Sequence, residues 1–214
     1  MTQVLSASPW KESLADREAL HNAELIEAYL EEVLQPTLKT CMDRMEAALA
    51  KAPAHDPVTA FFDAERLETL QAETAKGLCL ALAATFERHL RLYVRECAVE
   101  LDPTLEKASV SSKRREVLKA FKTMRGYEVE PPGSVLAQLN DVANVCRHGE
   151  GDSMERLWLH HPEYWPMRAN PEFDAALKAF GPAMCMTITS DHLAGFAGAV
   201  AEFWRELHRK SGVL

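Results

Sequence analysis

Leu78, Leu82, Phe86, Leu90 and Val94 recur every four residues in GLCLALAATFERHLRLYVRECAVEL. That spacing draws one apolar stripe along an α-helix. The segment is therefore the best core helix of the chain, and Pro103 is placed to end it. A helix with an apolar stripe is stable only against other elements of similar kind.

The rest of the sequence supplies them. Leu20, Ile26, Tyr29, Leu30, Val33 and Leu34 form an apolar side within a first helix from about Leu14 to Ala50, which Pro36 is expected to break or kink, leaving a second piece from Leu38. Lys51 to Pro57 reads as a turn, with Asp56 as cap and Pro57 as first helical residue of a mixed-polarity helix to Ala75, which continues into the core helix or abuts it. Ser111 to Met124 reads as a basic amphipathic helix, with Val117, Leu118, Phe121 and Met124 inward and Gly126 and Pro131-Pro132-Gly133 closing it. Ser134 caps the next helix, Val135 to His148, and Gly149 ends it. Ser190 opens the last, to about Lys210, with Leu193, Phe196, Val200, Phe203 and Leu207 as its buried stripe.

The expected fold class is all-α, an antiparallel helical bundle in a single domain, residues 1–214, with residues 1–55 as an N-terminal helical appendage. A minor β-ribbon is expected near residues 157–189, pairing Cys185 to Thr189 with LWLHH. The 214 residues carry 24 basic and 32 acidic side chains, a net charge of -8, which argues against general coating of nucleic acid but leaves room for a local basic patch. Five widely spaced cysteines contain no C-x-x-C pair, fitting reduced thiols and a cytoplasmic location. The apolar runs are too short to span a membrane.

Function is concentrated in NDVANVCRHGEGDS, Asn140 to Ser153. On a helical wheel Val135, Leu139, Val142 and Cys146 share one side. Asn140, Asn144 and His148 line up opposite them, with Arg147 and Asp141 beside them. An ordinary solvent face with an Arg-His pair at its dipole-favoured end would look similar. Two mid-helix asparagines are wasteful on that account, because their amides compete with the backbone. Histidine can move a proton from a ribose hydroxyl near neutral pH, arginine can hold a phosphate by two hydrogen bonds, and asparagine can orient it.

At Ala143-Asn144-Val145-Cys146-Arg147-His148 the sequence resembles the HEPN superfamily. Its signature is an arginine, a polar residue (often asparagine), three variable residues and a histidine near a helix end. Asn144 and His148 match, Ala143 occupies the arginine position, and Arg147 stands one turn away. The longer string ANVCRHGEGDSMERLWLHHPEYW and the upstream ATFERHLRLYV are similar to HEPN-like variants, over Lys76 to Arg209. The resemblance implies an all-helical, homodimeric domain. It would bind or cleave RNA without a metal or cofactor, in a bacterial toxin–antitoxin or phage-defence setting, with a protein partner such as an antitoxin. It implies catalytic roles for His148, Arg147 and Asn144. The alternative is a non-catalytic dimeric protein-interaction module of the same fold, which Ala143 favours.

RNA contacts are expected from Asn140 and from Arg115, Lys119 and Lys122 of the basic helix, whose other cations are Lys113, Arg114 and Arg125. That helix can equally be a solvated face pairing with acidic neighbours. Glu87 and Arg91 form a favourable i, i+4 pair that could orient Asn144 or His148, or could equally be structural or lie at a dimer contact. Trp158, His160, His161, Tyr164 and Trp165 read either as a base-stacking surface or as a packed loop. No metal-ligand spacing is present.

Overall fold

The computed structural model describes residues 13–51, 57–168, 170, 173, 177 and 181–211. The fold is all-α. The helices are α1 (Ala15–Tyr29), α2 (Gln35–Lys51), α3 (Pro57–Leu101), α4 (Glu106–Ser109), α5 (Arg114–Arg125), α6 (Val135–His148), α7 (Asp152–His160) and α8 (Ser190–Ser211). A π turn, Leu30–Leu34, joins α1 to α2, and short 3-10 turns at Pro103–Leu105 and Pro162–Tyr164 follow α3 and α7.

The mixed-polarity helix to Ala75 continues into the core helix rather than abutting it. α3 runs 45 residues without interruption, about 68 Å at 1.5 Å per residue. Its first half buries little and runs beside α2, where Cys41 Sγ lies 4.0 Å from Thr74 Oγ1. From Ala75 onward it enters the core: Ala75, Cys79, Leu82, Phe86, Leu90, Tyr93, Val94 and Cys97 are buried, while Leu78 is only partly covered. Asp102 stops the helix, accepting the Thr104 N–H at 3.1 Å ahead of Pro103.

α1 packs along α8 largely through small residues, since Ala15, Ala19 and Ala23 are buried, with Ile26 as the large side chain that completes the face. Small side chains let the two backbones approach closely, so the expected large apolar side of this helix is only half used. Leu20 and Val33 are exposed; Ile26 and Leu34 are buried. Pro36 does not break the chain of helices. The wider π turn just before it relieves the clash between the proline ring and the preceding carbonyls. The Lys51 to Pro57 turn and its Asp56 cap fall on residues outside the described ones, apart from Lys51 and Pro57, which end α2 and open α3.

α8 buries its predicted stripe and Trp204 against Phe86, Tyr93 and Phe121. Phe86 and Phe203 meet edge-on at 5.4 Å, and Tyr93 and Trp204 at 5.8 Å. Arrangements of this kind favour aromatic quadrupoles and fix the three helices in register.

No strand occurs among the described residues, so the expected ribbon near 157–189 is absent. Leu157 to His160 of LWLHH belong to α7, where Met154, Leu157 and Trp158 fall on one helical face, and His161 follows the helix end. Cys185 to Thr189 is an irregular cover without a ladder, tied to the segment after α7 by the Thr187 N–H to Tyr164 O hydrogen bond at 2.8 Å. Apolar density alone suggested a strand there; the helical period of α7 removes its partner. None of the described helices is long and apolar enough to cross a membrane. The five cysteines are free thiols.

Candidate functional site

The motif helix α6 begins and ends as its sequence dictates. Ser134 Oγ accepts the Ala137 N–H at 3.2 Å, and the Gly149 N–H donates to Val145 O at 2.8 Å. Gly149 sits at φ 75°, a value that glycine adopts without the cost other residues incur. Leu136, Leu139, Val142, Ala143 and Val145 are buried; Val135 is exposed and Cys146 only partly covered. Burial thus centres on Leu139 and Val142.

The polar side of α6 divides between two neighbours. Asn144 and Asp141 turn toward α7. Asn144 Nδ2 lies 3.4 Å from Ser153 Oγ, which donates to Asp141 Oδ1 at 2.9 Å, and Arg156 Nε donates to Asp141 Oδ2 at 2.9 Å. Asn140 and Arg147 turn toward α3, where they share a small cavity with Glu87 and Arg114. His148, the last helical residue, is exposed and lines neither the cavity nor the groove described next. The three residues given catalytic roles therefore face three different surroundings.

Ala143 is 3% exposed and lines that same cavity with Ala83, Phe86 and Leu139. An alanine belongs there because α6 lies close against α3. Arg147, one turn on, reaches the edge of the cavity that an arginine at 143 would have to enter.

Glu87 anchors the α3 side. Its Oε1 accepts from Arg91 Nε at 2.9 Å and Nη2 at 2.6 Å, and its Oε2 pairs with Arg114 Nη1 at 3.1 Å. Arg114 continues to Glu130, and Arg91 donates to the Ser111 and Ser112 carbonyls. The Glu87–Arg91 pair thus fixes Arg114 and the start of α5, not Asn144 or His148. Burial pushes the Glu87 carboxyl up, but the Arg91 hydrogen bond and the charges of Arg114, Arg91 and Arg147 outweigh it and hold the group below its ordinary range. Glu130, more deeply buried, is pushed up despite Arg114.

Beside this network lies an open groove of about 480 Å³ between α3, the end of α4 and α6. Arg88, Arg91, Arg95 and Arg147 line it with Leu92, Ser109 and Val110, and Glu87 is the only carboxylate among the described residues there. Arg88, Arg95 and Arg147 are exposed and make no ion pair among the described residues. A second groove, about 650 Å³, runs between α4 and α5 and is lined by Lys107, Arg115 and Lys119 with Glu116.

The basic helix α5 is therefore partly structural. Arg114 and Arg125 are committed to internal pairs, and Lys122 Nζ lies 2.6 Å from Glu128 Oε1. Arg115 and Lys119 face the second groove; Lys122 does not line it. The aromatic segment is packed rather than presented: Tyr164 and Trp165 are buried, Trp158 meets Trp165 edge-on at 4.9 Å, and Arg168 covers the Trp158 ring at 3.9 Å. His161 lies against Glu163 at 2.9 Å, and His160 is exposed. No group of three or more histidine, cysteine or acidic side chains suited to a metal occurs among the described residues.

Sequence reasoning missed the groove, although its signal was present. Arg88, Arg91 and Arg95 stand at i, i+3 and i+7, one face of α3, but they were read as companions of the Glu87 pair and not as one cationic face.

Fold and site together define an all-α protein whose motif helix contributes an arginine to a cationic groove. No family model, curated protein or solved structure matches the chain.

Proposed function

We propose that the protein is a HEPN-like domain that binds RNA by its phosphates, with Arg147 as the contribution of the motif helix. The observation carrying this reading is the groove in which Arg147 joins Arg88, Arg91 and Arg95 against one carboxylate, in a chain of net charge -8. Arginines that are exposed and free of ion pairs keep their forked donors available for phosphate oxygens. Asn144 is held by Ser153, which favours binding over cleavage.

A second reading, metal-independent cleavage, is supported by exposed His148 directly following Arg147 on the same helix end. A homodimer would double that site, as the HEPN resemblance implies. In this reading His148 is the general acid or base, and Arg147 and Asn144 position the phosphate.

Fluorescence anisotropy with labelled single-stranded RNA tests the first reading. The expected result is salt-sensitive binding, weakened about tenfold in Arg95→Gln/Arg147→Gln and unchanged in His148→Ala. Absence of binding at low salt to any RNA overturns it and leaves the protein-interaction module. Incubating the same RNAs with chelator tests the second: cleavage that survives chelator and is lost in His148→Ala supports it, and intact RNA rejects it.

A further inference from the structure

The two cationic grooves share a boundary. The short segment from Pro103 to Val110 forms the wall between them. Ser109 and Val110 face the α3 groove, while Leu105, Lys107 and Ala108 face the α5 groove. Six cations line the pair of grooves apart from Arg91, whose guanidinium is committed to Glu87: Arg88, Arg95 and Arg147 on one side, Lys107, Arg115 and Lys119 on the other. All six side chains belong to exposed residues, and none forms an ion pair among the described residues. Elsewhere the arginines and lysines of this region are neutralised at close range: Arg114 by Glu87 and Glu130, Lys122 by Glu128, Arg125 by Asp16. The separation into paired and unpaired cations follows position, since the unpaired ones border the two grooves.

We infer that the two grooves form one track for an extended single-stranded RNA chain, which crosses the α4 ridge and places phosphates on both sides of it. The inference rests on the RNA-binding reading and adds to it the length, strandedness and sequence tolerance of the ligand. A helix with its side chains is about 10 Å across, so a mononucleotide or dinucleotide fills one groove and cannot reach the other. The grooves are concave and bounded by a ridge, which a flexible strand can follow and a rigid duplex cannot. Neither groove has an aromatic side chain among its described lining residues, so there is no platform for base stacking. Recognition then falls on the backbone, and sequence matters little.

The segment between the grooves is held so that it can serve as a fixed ridge. Arg91 binds the Ser111 and Ser112 carbonyls, and Ser109 Oγ donates to Glu106 O at 2.7 Å. Its two sides are thereby anchored to α3 and within α4 itself.

The test uses the full chain, a labelled dinucleotide, labelled single-stranded dodecanucleotides of two unrelated sequences and a duplex of one of them, read by anisotropy over a salt series. Two variants are compared, Arg88→Gln/Arg95→Gln and Arg115→Gln/Lys119→Gln. All four residues are exposed, and unchanged circular dichroism and melting establish that the fold is intact. Each variant is expected to weaken both dodecanucleotides roughly tenfold and to reduce the slope of log K against log salt by about 1.4, two single-strand phosphate contacts. The dinucleotide, where its binding is measurable, loses affinity only in the α3-groove variant. If Arg115→Gln/Lys119→Gln leaves dodecanucleotide affinity and slope unchanged while the α3-groove variant lowers them, the single track is wrong and RNA binding by the α3 groove stands. If duplex binds as tightly as single strand, or one sequence is preferred by more than tenfold, the backbone-tracking strand is wrong. If no RNA binds the wild-type chain, the functional reading itself fails, and the track with it.

Discussion

Asp16 and Arg125 lie 109 residues apart in the chain and meet at 2.8 Å in the dry centre where α1, α3 and α5 join. Asp16 Oδ1 also accepts the Tyr93 hydroxyl at 2.7 Å, and Oδ2 accepts the Ser13 N–H at 2.8 Å. Ser13 Oγ in turn accepts the Ala15 N–H at 3.2 Å, so one carboxylate closes the start of α1 and ties it to two other helices. Both charged side chains are almost fully buried. Removing one partner leaves the other charge unpaired away from water. Asp16→Asn and Arg125→Met are each expected to cost about 3–5 kcal/mol, measured by urea unfolding. Asp16→Asn/Arg125→Met should cost less than the sum of these two single substitutions by about 0.5–3 kcal/mol. Strict additivity would mean that the pair contributes nothing as a pair.

This junction marks where sequence reading stopped. The stripes of α3, α5 and α8 were legible because each is a local period, and Leu82, Phe121 and Phe196 are buried as their spacing demands. Asp16 and Arg125 carry no local sign of each other; their meeting is a property of tertiary packing. Whether α3 runs on through Ala75 or breaks there was left open by the sequence, because its first half is of mixed polarity, leaves Val58, Phe62 and Leu70 exposed, and finds its seam along α2. Pro36 was read by the usual rule for proline, and a π turn offset the rule. At the site, the caps of α6 and the two sides of its wheel were legible. That Asn144 would turn to Ser153 and Arg147 to α3 was not, because both lie on the same polar arc and only the neighbouring helices separate them.

His192 makes the fold sensitive to mild acid. The Thr189 N–H donates to His192 Nδ1 at 3.2 Å, and the His192 N–H donates to Thr189 Oγ1, a reciprocal cap at the start of α8. Protonation removes the Nδ1 acceptor. Burial holds the His192 pKa below 6.5, against the opposing pull of Glu163 and Asp191. The unfolded chain then binds a proton at higher pH than the folded one. Stability from this group is complete above about pH 6.5 and declines as pH falls from there toward the lowered folded value. His89, lowered by burial, Arg88 and His21, contributes with the same sign. Melting temperature should therefore fall between about pH 7 and pH 5. In His192→Gln, where a side-chain acceptor is kept but does not titrate, that fall should be shallower. An identical slope in both proteins would assign the acid sensitivity elsewhere.

Ala143→Arg writes the HEPN-type arginine back into its expected place. The space it would enter is walled by Ala83, Phe86 and Leu139, and Arg114 and Arg147 already border it beside Glu87. A third guanidinium there is overpacked and without a carboxylate of its own. The substitution is expected to cost roughly 3 kcal/mol or more and to add no RNA cleavage. Measurement needs only a melting curve and the chelator-treated cleavage assay. A stable variant that gains cleavage would show that Arg147 does not stand in for the missing residue.

Glu87→Gln separates holding the fold from holding a ligand, because the substitution acts on them with opposite signs. The carboxylate neutralises Arg91 and Arg114 and, through Arg91, fixes the turn at Ser111 and Ser112. A neutral amide keeps part of this geometry and loses the charge, so unfolding should become easier, and more so at low salt, where the pairs are least screened. Facing the groove, the same change removes the one negative charge among its described lining residues and releases Arg91 toward solvent. RNA affinity should rise severalfold, and the slope of log K against log salt should steepen by about 0.7 if Arg91 gains a phosphate. The held-down pKa of Glu87 adds a check in the same measurement: wild-type affinity should not approach that of the variant until pH falls below the ordinary glutamate range, since the carboxylate stays charged until then. A variant that is less stable and also binds RNA more weakly would mean that the groove depends on the Glu87 scaffold for its shape more than it suffers from its charge.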